Sequence, residues 1–280
     1  MIAPGRAHRP GAGRARIGPA TPDELEQCPF CEGREDRTPP ETFAVGRTGS
    51  RPDTPGWRVR VVPNLYPAFE RQEVVVHTPR HARSLGELDD GEVADVAVAW
   101  AARAEAARAG GFSYVHAVIN EGRDAGASLA HTHSQLVWLR EPPPGVTQER
   151  GAVMDVLGHD ELRVVERGRV AAVTHPAGRA PYELLVAPLE AEADAFASEQ
   201  LATALQLVAE TIRRLRAVEG PVPWNAWLHT FAGDGHWHLE LLPRLTVFAG
   251  IELGAEIYVN TLAPEEAAER LRAGAVSAVA

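Results

Sequence analysis

NEGRDAGASLAHTHSQLVW, the stretch at residues 120–138, joins a turn of small residues to an alternating apolar segment. Successive side chains of a β-strand point to opposite faces, so His131, His133 and Gln135 are predicted to stand in a row on one face. The Gly-Ala-Ser sequence at 126–128 is small enough to let backbone N–H groups approach an anion. An imidazole beside such a phosphate cradle is typical of phosphoryl or nucleotidyl transfer. A lone His-X-His pair is also common as core filling, so the rest of the chain must decide between the two interpretations.

The composition excludes several function classes. The chain has 280 residues, enough for two modest domains or one large one, and a net charge of −10. Without a basic stripe, a nucleic acid is not expected as a partner. All basic residues are arginines, which excludes Schiff-base chemistry and a phosphate loop built around lysine, and leaves arginines, backbone amides or metals to bind phosphate. No apolar run has the length of a membrane span and no signal peptide is evident, so no membrane partner and a cytoplasmic location are expected.

The chain has two cysteines, Cys28 and Cys31, in a C-x-x-C arrangement. Their flanks are polar and rich in proline, which favours a zinc knuckle over a redox motif of the thioredoxin type. A tetrahedral zinc site needs four ligands. Because no other cysteine is present, the two missing ligands must be His, Asp or Glu.

The second half of the chain repeats the order of elements of the first half, at an offset of roughly 105 to 110 residues. Each half is predicted to contain strands, then a helix (89–110 and 198–218), then two further strands. HWHLELLP at 236–243 matches HTHSQLVW in the first half. The predicted fold is therefore α+β, with two duplicated lobes at 1–150 and 151–280, each a mainly antiparallel sheet with a packed helix.

The two copies differ at the third position of the motif, which is Gln135 in the first half and Glu240 in the second. An amide suits hydrogen bonding to a phosphoryl group, whereas a carboxylate beside imidazoles suits a metal or an ion network. The GASL turn occurs in the first copy alone, so the chemistry is predicted to lie in the first half. Toward the C-terminus, further strands are predicted at 244–249 and 256–261, and a helix at 264–273.

Several motifs, spread in order over nearly the whole chain, share a resemblance to one family. They are APGRAHRP at 3–10, CPFCEG at 28–33, VPNLYPAF at 62–69, EVVVHTPRH at 73–81, the INEG and AGASLAHTHSQ segments within 119–135, HWHLELLPR at 236–244 and AGIELG at 249–254. With these motifs the chain resembles the galactose-1-phosphate uridylyltransferase branch of the histidine-triad superfamily. The resemblance implies two histidine-triad-like lobes, the first carrying the zinc site and the nucleophile.

The resemblance implies a two-step transfer through a covalent intermediate. His133 would attack the α-phosphate of a nucleotide sugar and release a sugar 1-phosphate, after which a second phosphate acceptor takes the nucleotidyl group, with ping-pong kinetics. Imidazole suits this role because it is nucleophilic while neutral near pH 7. Gln135 would donate to the phosphoryl oxygens. In the hydrolase branches this position is a third histidine, so Gln135 is expected in a transferase.

Other matched positions imply contacts with the substrate, in three groups. Ser128 and the amides around Gly126 and Ala127 would hold the phosphates. Arg6 and Arg9 would contact the nucleotide phosphates, and Asn120 would contact the nucleotide or a phosphate. Asn64 would contact the base or ribose, and Glu252 would contact the hexose hydroxyls. Leu65 stands where bacterial enzymes that act on UDP-hexose often have Asp, which leaves the preferred base open. The family is usually dimeric, so a homodimer is expected in which part of each hexose site comes from the other subunit.

The resemblance also completes the zinc site, with Cys28, Cys31, His81 and His131 as its ligands. Four protein ligands leave no open position, so this zinc is expected to be structural. Some members carry a second divalent metal, iron or zinc, and the matching region here holds Glu149, His229 and His238. Glu240 stands where one family ligand is His, and His236 is an alternative ligand. A hydrogen-bonded ion network is an equally good interpretation of this second cluster.

Three functions follow as hypotheses. The first is a nucleotidyltransferase that moves UMP from UDP-glucose to galactose 1-phosphate through a uridylyl-histidine. The second is a phosphorylase on the same scaffold, with ADP-glucose or a dinucleoside polyphosphate as donor. The third, of another class, is a zinc-stabilised nucleotide-binding protein without catalysis. A nucleotide sugar and a sugar 1-phosphate are the expected ligands under the first hypothesis.

Overall fold

The structure is a computed structural model that describes residues 1–8, 16–47, 49, 51–148, 152–231 and 235–275. Within these residues the chain forms seven α-helices, which are α1 (Pro22–Gln27), α2 (Asp90–Ala109), α3 (Pro144–Gln148), α4 (Ala152–Leu157), α5 (Leu201–Glu219), α6 (Gly250–Ala255) and α7 (Pro264–Ala273). It also forms ten strands, which are β1 (Phe43–Val45), β2 (Val59–Pro63), β3 (Arg71–Val76), β4 (Tyr114–Glu121), β5 (His133–Leu139), β6 (Arg163–Arg167), β7 (Val170–Thr174), β8 (Leu184–Pro188), β9 (Trp224–His229) and β10 (His238–Pro243).

All ten strands belong to one antiparallel sheet with the order β1-β2-β3-β5-β4-β9-β10-β8-β7-β6. The order of the first five strands is repeated in reverse by the last five, so the two halves of the chain are related by an approximate two-fold axis. That axis passes between β4 and β9, where Val118 faces Trp227. The α+β fold with two duplicated halves is therefore confirmed, and the two sheets are joined edge to edge. The predicted domain boundary at residue 150 lies outside the described residues and stays a prediction.

The two long helices, α2 and α5, pack on one face of this sheet and against each other. Asp89 begins α2 with a capping box, because its side chain accepts from the N–H of Glu92 and the Glu92 carboxylate accepts from the N–H of Asp89. Trp100 of α2 is fully buried, and its Nε1 donates to Oγ of Ser134 at 2.8 Å. Apolar side chains of both halves thus form one continuous core between the sheet and the helices.

The opposite face of β3 and β5 is covered by the N-terminal segment. Cys28 and Phe30 form a separate apolar cluster with Val74 and Val76 of β3. Because Ser134 faces helix α2, the alternation of the strand directs His133 and Gln135 to this opposite face. The predicted row of polar side chains therefore lies under the cysteine segment and away from the main core.

Residues 244–249 and 256–261 are not strands, in contrast to the prediction. The edges of the sheet are β1 and β6, so these segments have no strand to pair with. Helix α6 lies between them, and Asn260 forms an isolated parallel bridge with Ile2. In the described part of the chain, no helix combines the length and the apolar character needed to cross a bilayer.

Candidate active site and metal centres

Four side chains from three separate segments converge at the N-terminal cluster. The ligand atoms of Cys28, Cys31, His81 and His131 all lie within 4.8 Å of one another. Nδ1 of His131 is 3.4 Å from Sγ of Cys28 and 3.7 Å from Sγ of Cys31, and Nδ1 of His81 is 3.4 Å from Sγ of Cys31. The structure thus brings together all four predicted zinc ligands.

The hydrogen bonds around this cluster fit a metal. Nε2 of His131 donates to the carbonyl oxygen of Thr78 at 2.9 Å, and Nε2 of His81 donates to the carboxylate of Glu24 at 3.0 Å. Both imidazoles therefore carry their proton on Nε2 and present the lone pair of Nδ1 to the sulfurs, as a metal requires. Glu24 in turn binds Arg83. The sequence analysis missed Glu24, because its three-dimensional neighbour His81 is 57 residues away along the chain.

The electrostatics of the cluster agree with a bound cation. Burial, with the neighbouring Cys28 thiol, raises the pKa of Cys31 to about 11. Burial lowers the pKa of His131 to about 3. His131 is thus neutral and ready to coordinate, and the Cys31 thiol needs a cation nearby to ionise at pH 7. Two sulfurs and two imidazole nitrogens are the donor set of a structural zinc site.

His133 lies next to the cluster and is buried. Its ring packs edge-on against Phe30, with ring centroids 5.3 Å apart. Its Nδ1 lies 2.7 Å from the carbonyl oxygen of His131, and since a carbonyl oxygen can only accept, Nδ1 carries the proton. Burial lowers the pKa of His133, although the bond to the carbonyl opposes this shift. A neutral imidazole with its lone pair on Nε2 is the form that can act as a nucleophile.

Gln135 belongs to a network of three side-chain amides. Its Oε1 accepts from Nε2 of Gln72 at 2.6 Å and from Nδ2 of Asn64 at 3.5 Å. With the oxygen occupied in this way, the two N–H donors of Gln135 Nε2 are the end of the amide available to an anion. Asn64 was predicted from the sequence, whereas Gln72 was not. The signal for Gln72 is its position immediately before EVVVH, on the same face of the strand as Val74 and Val76.

The small-residue turn lies on the rim of a cavity of about 680 Å³. Gly126 has a φ of 88°, a conformation that favours glycine. The N–H groups of Gly126 and Ala127 donate within the turn, to the carbonyl oxygens of Arg123 and Gly122. Ser128 is exposed and lines the cavity together with Arg83 and others. Its hydroxyl is therefore the accessible donor of the loop.

Asn120 sits at the end of β4, where the two halves of the chain meet. Its Oδ1 accepts from Nδ2 of Asn225 at 2.7 Å, and the same Nδ2 donates to the carbonyl oxygen of Ala125. Asn225 was missed by the sequence analysis, since only the pairing of β4 with β9 places it opposite Asn120. Asn225 therefore links Asn120, the predicted nucleotide contact, to the small-residue turn that begins after Ala125.

Arg6 and Glu252, also predicted to contact the substrate, lie in other parts of the structure. Arg6 is exposed on a short 3₁₀ turn, which follows the residues that pair with Asn260. Glu252 is buried, and its carboxylate accepts from the N–H of Ala249 at the start of α6. Arg6 therefore follows a segment that is bound to the C-terminal part of the chain, and Glu252 belongs to that part. Arg9 lies outside the described residues.

The second cluster contains His229, His238 and Glu240, whose ligand atoms lie within 4.8 Å of one another. Oε1 of Glu240 is 3.7 Å from Nδ1 of His229 and 3.8 Å from Nε2 of His238. Nδ1 of His238 donates to the carbonyl oxygen of His236 at 3.1 Å, which leaves the lone pair on Nε2. These three donors fit a divalent metal, and His236 is not among them. Glu149 lies outside the described residues.

Arg179 is a further partner of this cluster. Its Nη2 lies 2.5 Å from Oε2 of Glu240, and its guanidinium group also binds Glu183. The carboxylate of Glu240 therefore turns one oxygen to the arginine and the other to the two imidazoles. This arrangement serves an ion network, and it also orients a carboxylate that binds a metal.

The comparisons with known proteins agree with this geometry. Residues 67–143 match the family model for galactose-1-phosphate uridyl transferase, N-terminal domain. An ADP-glucose phosphorylase from Arabidopsis thaliana is 27% identical over 97% of this chain and 89% of its own. A galactose-1-phosphate uridylyltransferase from Thermotoga maritima is 25% identical over 71% of this chain and 73% of its own. The crystal structure of an Arabidopsis thaliana ADP-glucose phosphorylase with bound ADP-glucose superposes with a TM-score of 0.82 at 24% identity, over 97% of this chain and 94% of that one.

The ten-stranded sheet with two duplicated halves and paired H-x-H strands is the α+β fold of these relatives. The chain is similar to members of the galactose-1-phosphate uridylyltransferase family, as its motifs indicated. The relatives include a transferase and a phosphorylase, which act on different substrates. The similarity therefore supports nucleotidyl transfer and leaves the donor and the acceptor to be argued separately.

Proposed function

We propose that this protein is a nucleotidyltransferase that moves a nucleoside monophosphate from a nucleoside-diphosphate sugar to a phosphate acceptor through His133. The observation that carries the proposal is the bond between Nδ1 of His133 and the carbonyl oxygen of His131, at 2.7 Å. It fixes the proton on Nδ1 and leaves Nε2 as the nucleophile. The second half has the same bond at His238, but there Nε2 faces the carboxylate of Glu240, whereas His133 shares its strand face with the amide of Gln135.

In the first step, the lone pair of His133 Nε2 attacks the α-phosphorus of the donor. The bond from the α-phosphorus to the bridging oxygen breaks, and its electron pair leaves on the sugar 1-phosphate. The imidazole becomes positively charged, and its Nδ1 proton continues to donate to the carbonyl oxygen of His131. No proton has to be transferred, because a phosphate monoester is a good leaving group at neutral pH.

In the second step, an oxygen of the phosphate acceptor attacks the same phosphorus. The P–N bond breaks, and its electrons return to Nε2 of His133. The nucleotidyl group leaves on the acceptor, and the imidazole is neutral again. The two steps share one nucleophile, so the kinetics are ping-pong.

Three side chains assist the reacting group. Nε2 of Gln135 donates to the phosphoryl oxygens, where negative charge increases in the transition state. Ser128 and Asn120 bind the remaining phosphate oxygens from the turn and from the end of β4. Zinc bound by the N-terminal cluster would supply a structural cross-link between the cysteine segment and the strand that carries His133.

We propose ADP-glucose as the donor and inorganic phosphate as the acceptor. The match to the ADP-glucose phosphorylase extends over 97% of this chain, against 71% for the uridylyltransferase, and supports this choice. Leu65, exposed beside Asn64, stands where uridylyltransferases often have Asp. Transfer of UMP from UDP-glucose to galactose 1-phosphate is the second candidate, favoured by the family model at residues 67–143.

We further propose a cytoplasmic homodimer with a second divalent metal, zinc or iron, at His229, His238 and Glu240. The dimer rests on the resemblance to a family whose members are usually dimeric. Light scattering on the purified protein gives the mass that tests it.

Intact-mass spectrometry after brief mixing with ADP-glucose or UDP-glucose, without an acceptor, tests the proposed function. We expect a gain of one AMP with ADP-glucose, absent in His133→Ala and retained in the control His159→Ala, whose imidazole is exposed. A gain of one UMP instead would establish the second candidate. A folded, zinc-loaded protein that forms no adduct with either donor, nor with a dinucleoside polyphosphate, would favour the non-catalytic hypothesis.

A further inference from the structure

The side-chain amide of Gln135 can present either of its ends to a ligand. Oxygen and nitrogen occupy nearly the same volume, so a rotation of the amide by half a turn exchanges a donor for an acceptor. An acceptor facing a phosphoryl oxygen would repel it. The site therefore needs a neighbouring group that holds the oxygen of Gln135 away from the substrate.

Gln72 is the residue in place to do this. It lies on β3, beside Gln135 on β5, with Gln72 opposite Val137 and Gln135 opposite Val74. This diagonal relation puts both amides on one face of the sheet. Nε2 of Gln72 donates to Oε1 of Gln135 at 2.6 Å. A rotated Gln135 amide would bring two N–H donors against each other.

The orientation of Gln72 is itself fixed by the backbone. Its Oε1 accepts from the N–H of Ala68 at 2.9 Å. A backbone N–H cannot exchange its role, so the oxygen of Gln72 must face Ala68 and its nitrogen must face Gln135. Asn64 is anchored in the same way, since its Oδ1 accepts from the N–H of Tyr66 at 2.9 Å while its Nδ2 points to Gln135.

We infer that Gln72 is a positioning residue. The N–H of Ala68 in the 64–70 loop orients the amide of Gln72, and this amide in turn keeps the N–H donors of Gln135 directed at the substrate. The chain of donors runs from the N–H of Ala68 through Gln72 to Gln135 and ends at the phosphoryl group. In this role Gln72 acts through Gln135 and needs no contact of its own with the substrate. The inference rests on the proposed function for the role of Gln135, and on geometry for the orientation of the two amides.

Kinetics of the single and double variants test the inference. We expect Gln72→Ala to lower kcat by about tenfold with little change in KM, since one neutral hydrogen bond is lost behind the donor. Gln72→Glu keeps the shape but faces Gln135 with an acceptor, and we expect a loss of about a hundredfold, the effect of removing a transition-state donor. Arg71→Ala, an exposed neighbour on the opposite face, is the control and should retain wild-type kinetics.

The double variant separates positioning from an independent effect. If Gln72 acts through Gln135, adding Gln72→Ala to the Gln135→Ala variant should change kcat by less than twofold. Losses that multiply would overturn the inference, as would a Gln72→Ala variant whose KM alone changes.

A second measurement needs no activity. In protein labelled with ¹⁵N-glutamine, the side-chain amide signal of Gln135 is identified by its absence in Gln135→Ala. We expect this signal to shift in Gln72→Ala and to stay in place in Arg71→Ala. An unchanged signal in Gln72→Ala contradicts the inference whatever the reaction. If the signal shifts but the wild type forms no nucleotidyl-enzyme, the amide contact stands and the proposed function fails.

Discussion

Nδ1 of His133 lies 2.7 Å from the carbonyl oxygen of His131, and the second half of the molecule repeats this relationship. There, Nδ1 of His238 lies 3.1 Å from the carbonyl oxygen of His236. In both copies the strand backbone fixes the tautomer and leaves the lone pair on Nε2. Nε2 of His238 faces the carboxylate of Glu240 and suits a metal, whereas Nε2 of His133 is proposed to face a substrate. The same backbone hydrogen bond would then serve a metal site in one half and the proposed nucleophile in the other.

Loss of a cysteine ligand should remove the metal from the N-terminal cluster. We expect about one zinc per chain at this site, lost in Cys28→Ser and Cys31→Ser with a lower melting temperature, because the zinc joins segments far apart in sequence. Glu24→Gln keeps the four ligands but weakens the partner of His81, so zinc affinity should fall by about 10-fold to 100-fold. Elemental analysis by mass spectrometry measures both. Zinc retained in both cysteine variants would exclude this site.

The second cluster is tested by the same measurement. His238→Ala and Glu240→Gln should each remove a second divalent metal and leave the first in place. His236→Ala should retain it, because the imidazole of His236 is not among the converging donors. A wild type with no second metal would establish an ion network centred on Arg179 and Glu240.

Gln135→Glu should separate the role of the amide from its packing. A carboxylate can still accept from Gln72 and Asn64, so the fold and the melting temperature should be retained. It cannot donate to a phosphoryl oxygen and repels it, so formation of the nucleotidyl-enzyme should slow by about 100-fold or more. Rapid-quench kinetics measure this rate. A variant with a wild-type rate would exclude Gln135 as the donor.

Leu136→Ala should lower the stability of the protein and leave the rate of nucleotidyl-enzyme formation unchanged, the opposite of Gln135→Glu. Leu136 is fully buried on the helix-facing side of β5, so the cavity left by the substitution should lower the free energy of unfolding by about 2 to 5 kcal/mol. Below its melting temperature the variant should form the nucleotidyl-enzyme at a near wild-type rate, since the other face of the strand is unchanged. Chemical denaturation and rapid-quench kinetics provide the two readouts.

Glu121 should make stability depend on pH. Its carboxyl group is buried at the end of β4, where Oε2 accepts from the N–H of Leu85 at 3.1 Å. Burial raises the pKa of Glu121 to about 7, against the opposing effects of Ser84 and Arg216. The folded state thus retains a proton that the unfolded state releases, so this contribution to stability is lost as the pH rises from about 4.5 to 7.

Comparison with Glu121→Gln isolates that contribution from all other titrating groups. The variant stays neutral, so above pH 7 it should exceed the wild type in free energy of unfolding by about 1 to 3 kcal/mol. The difference should vanish toward pH 4.5. Denaturant unfolding across this range measures it, and a difference independent of pH would show that Glu121 ionises normally.

The sequence predicted much of the fold because its signals are local. The alternation at 131–138 and the helical segment at 89–110, with acidic residues at its start and glycines at its end, are properties of neighbouring residues. The repeat of these segments in the second half predicted the duplication. The strands expected at 244–249 and 256–261 were wrong, because their apolar pattern does not reveal that the edges of the sheet lie elsewhere.

The sequence by itself predicted two cysteines as metal ligands, to which the family resemblance added His81 and His131, and it placed His133 with Gln135 on one face of a strand. Only the tertiary structure decided how these groups are held. The proton of His133, the orientation of the Gln135 amide by Gln72 and the contact of Asn120 with Asn225 all depend on atoms from distant segments. Residue types and strand periodicity are encoded locally, whereas hydrogen-bond partners across a sheet are set by strand order and register, which arise when the whole chain packs.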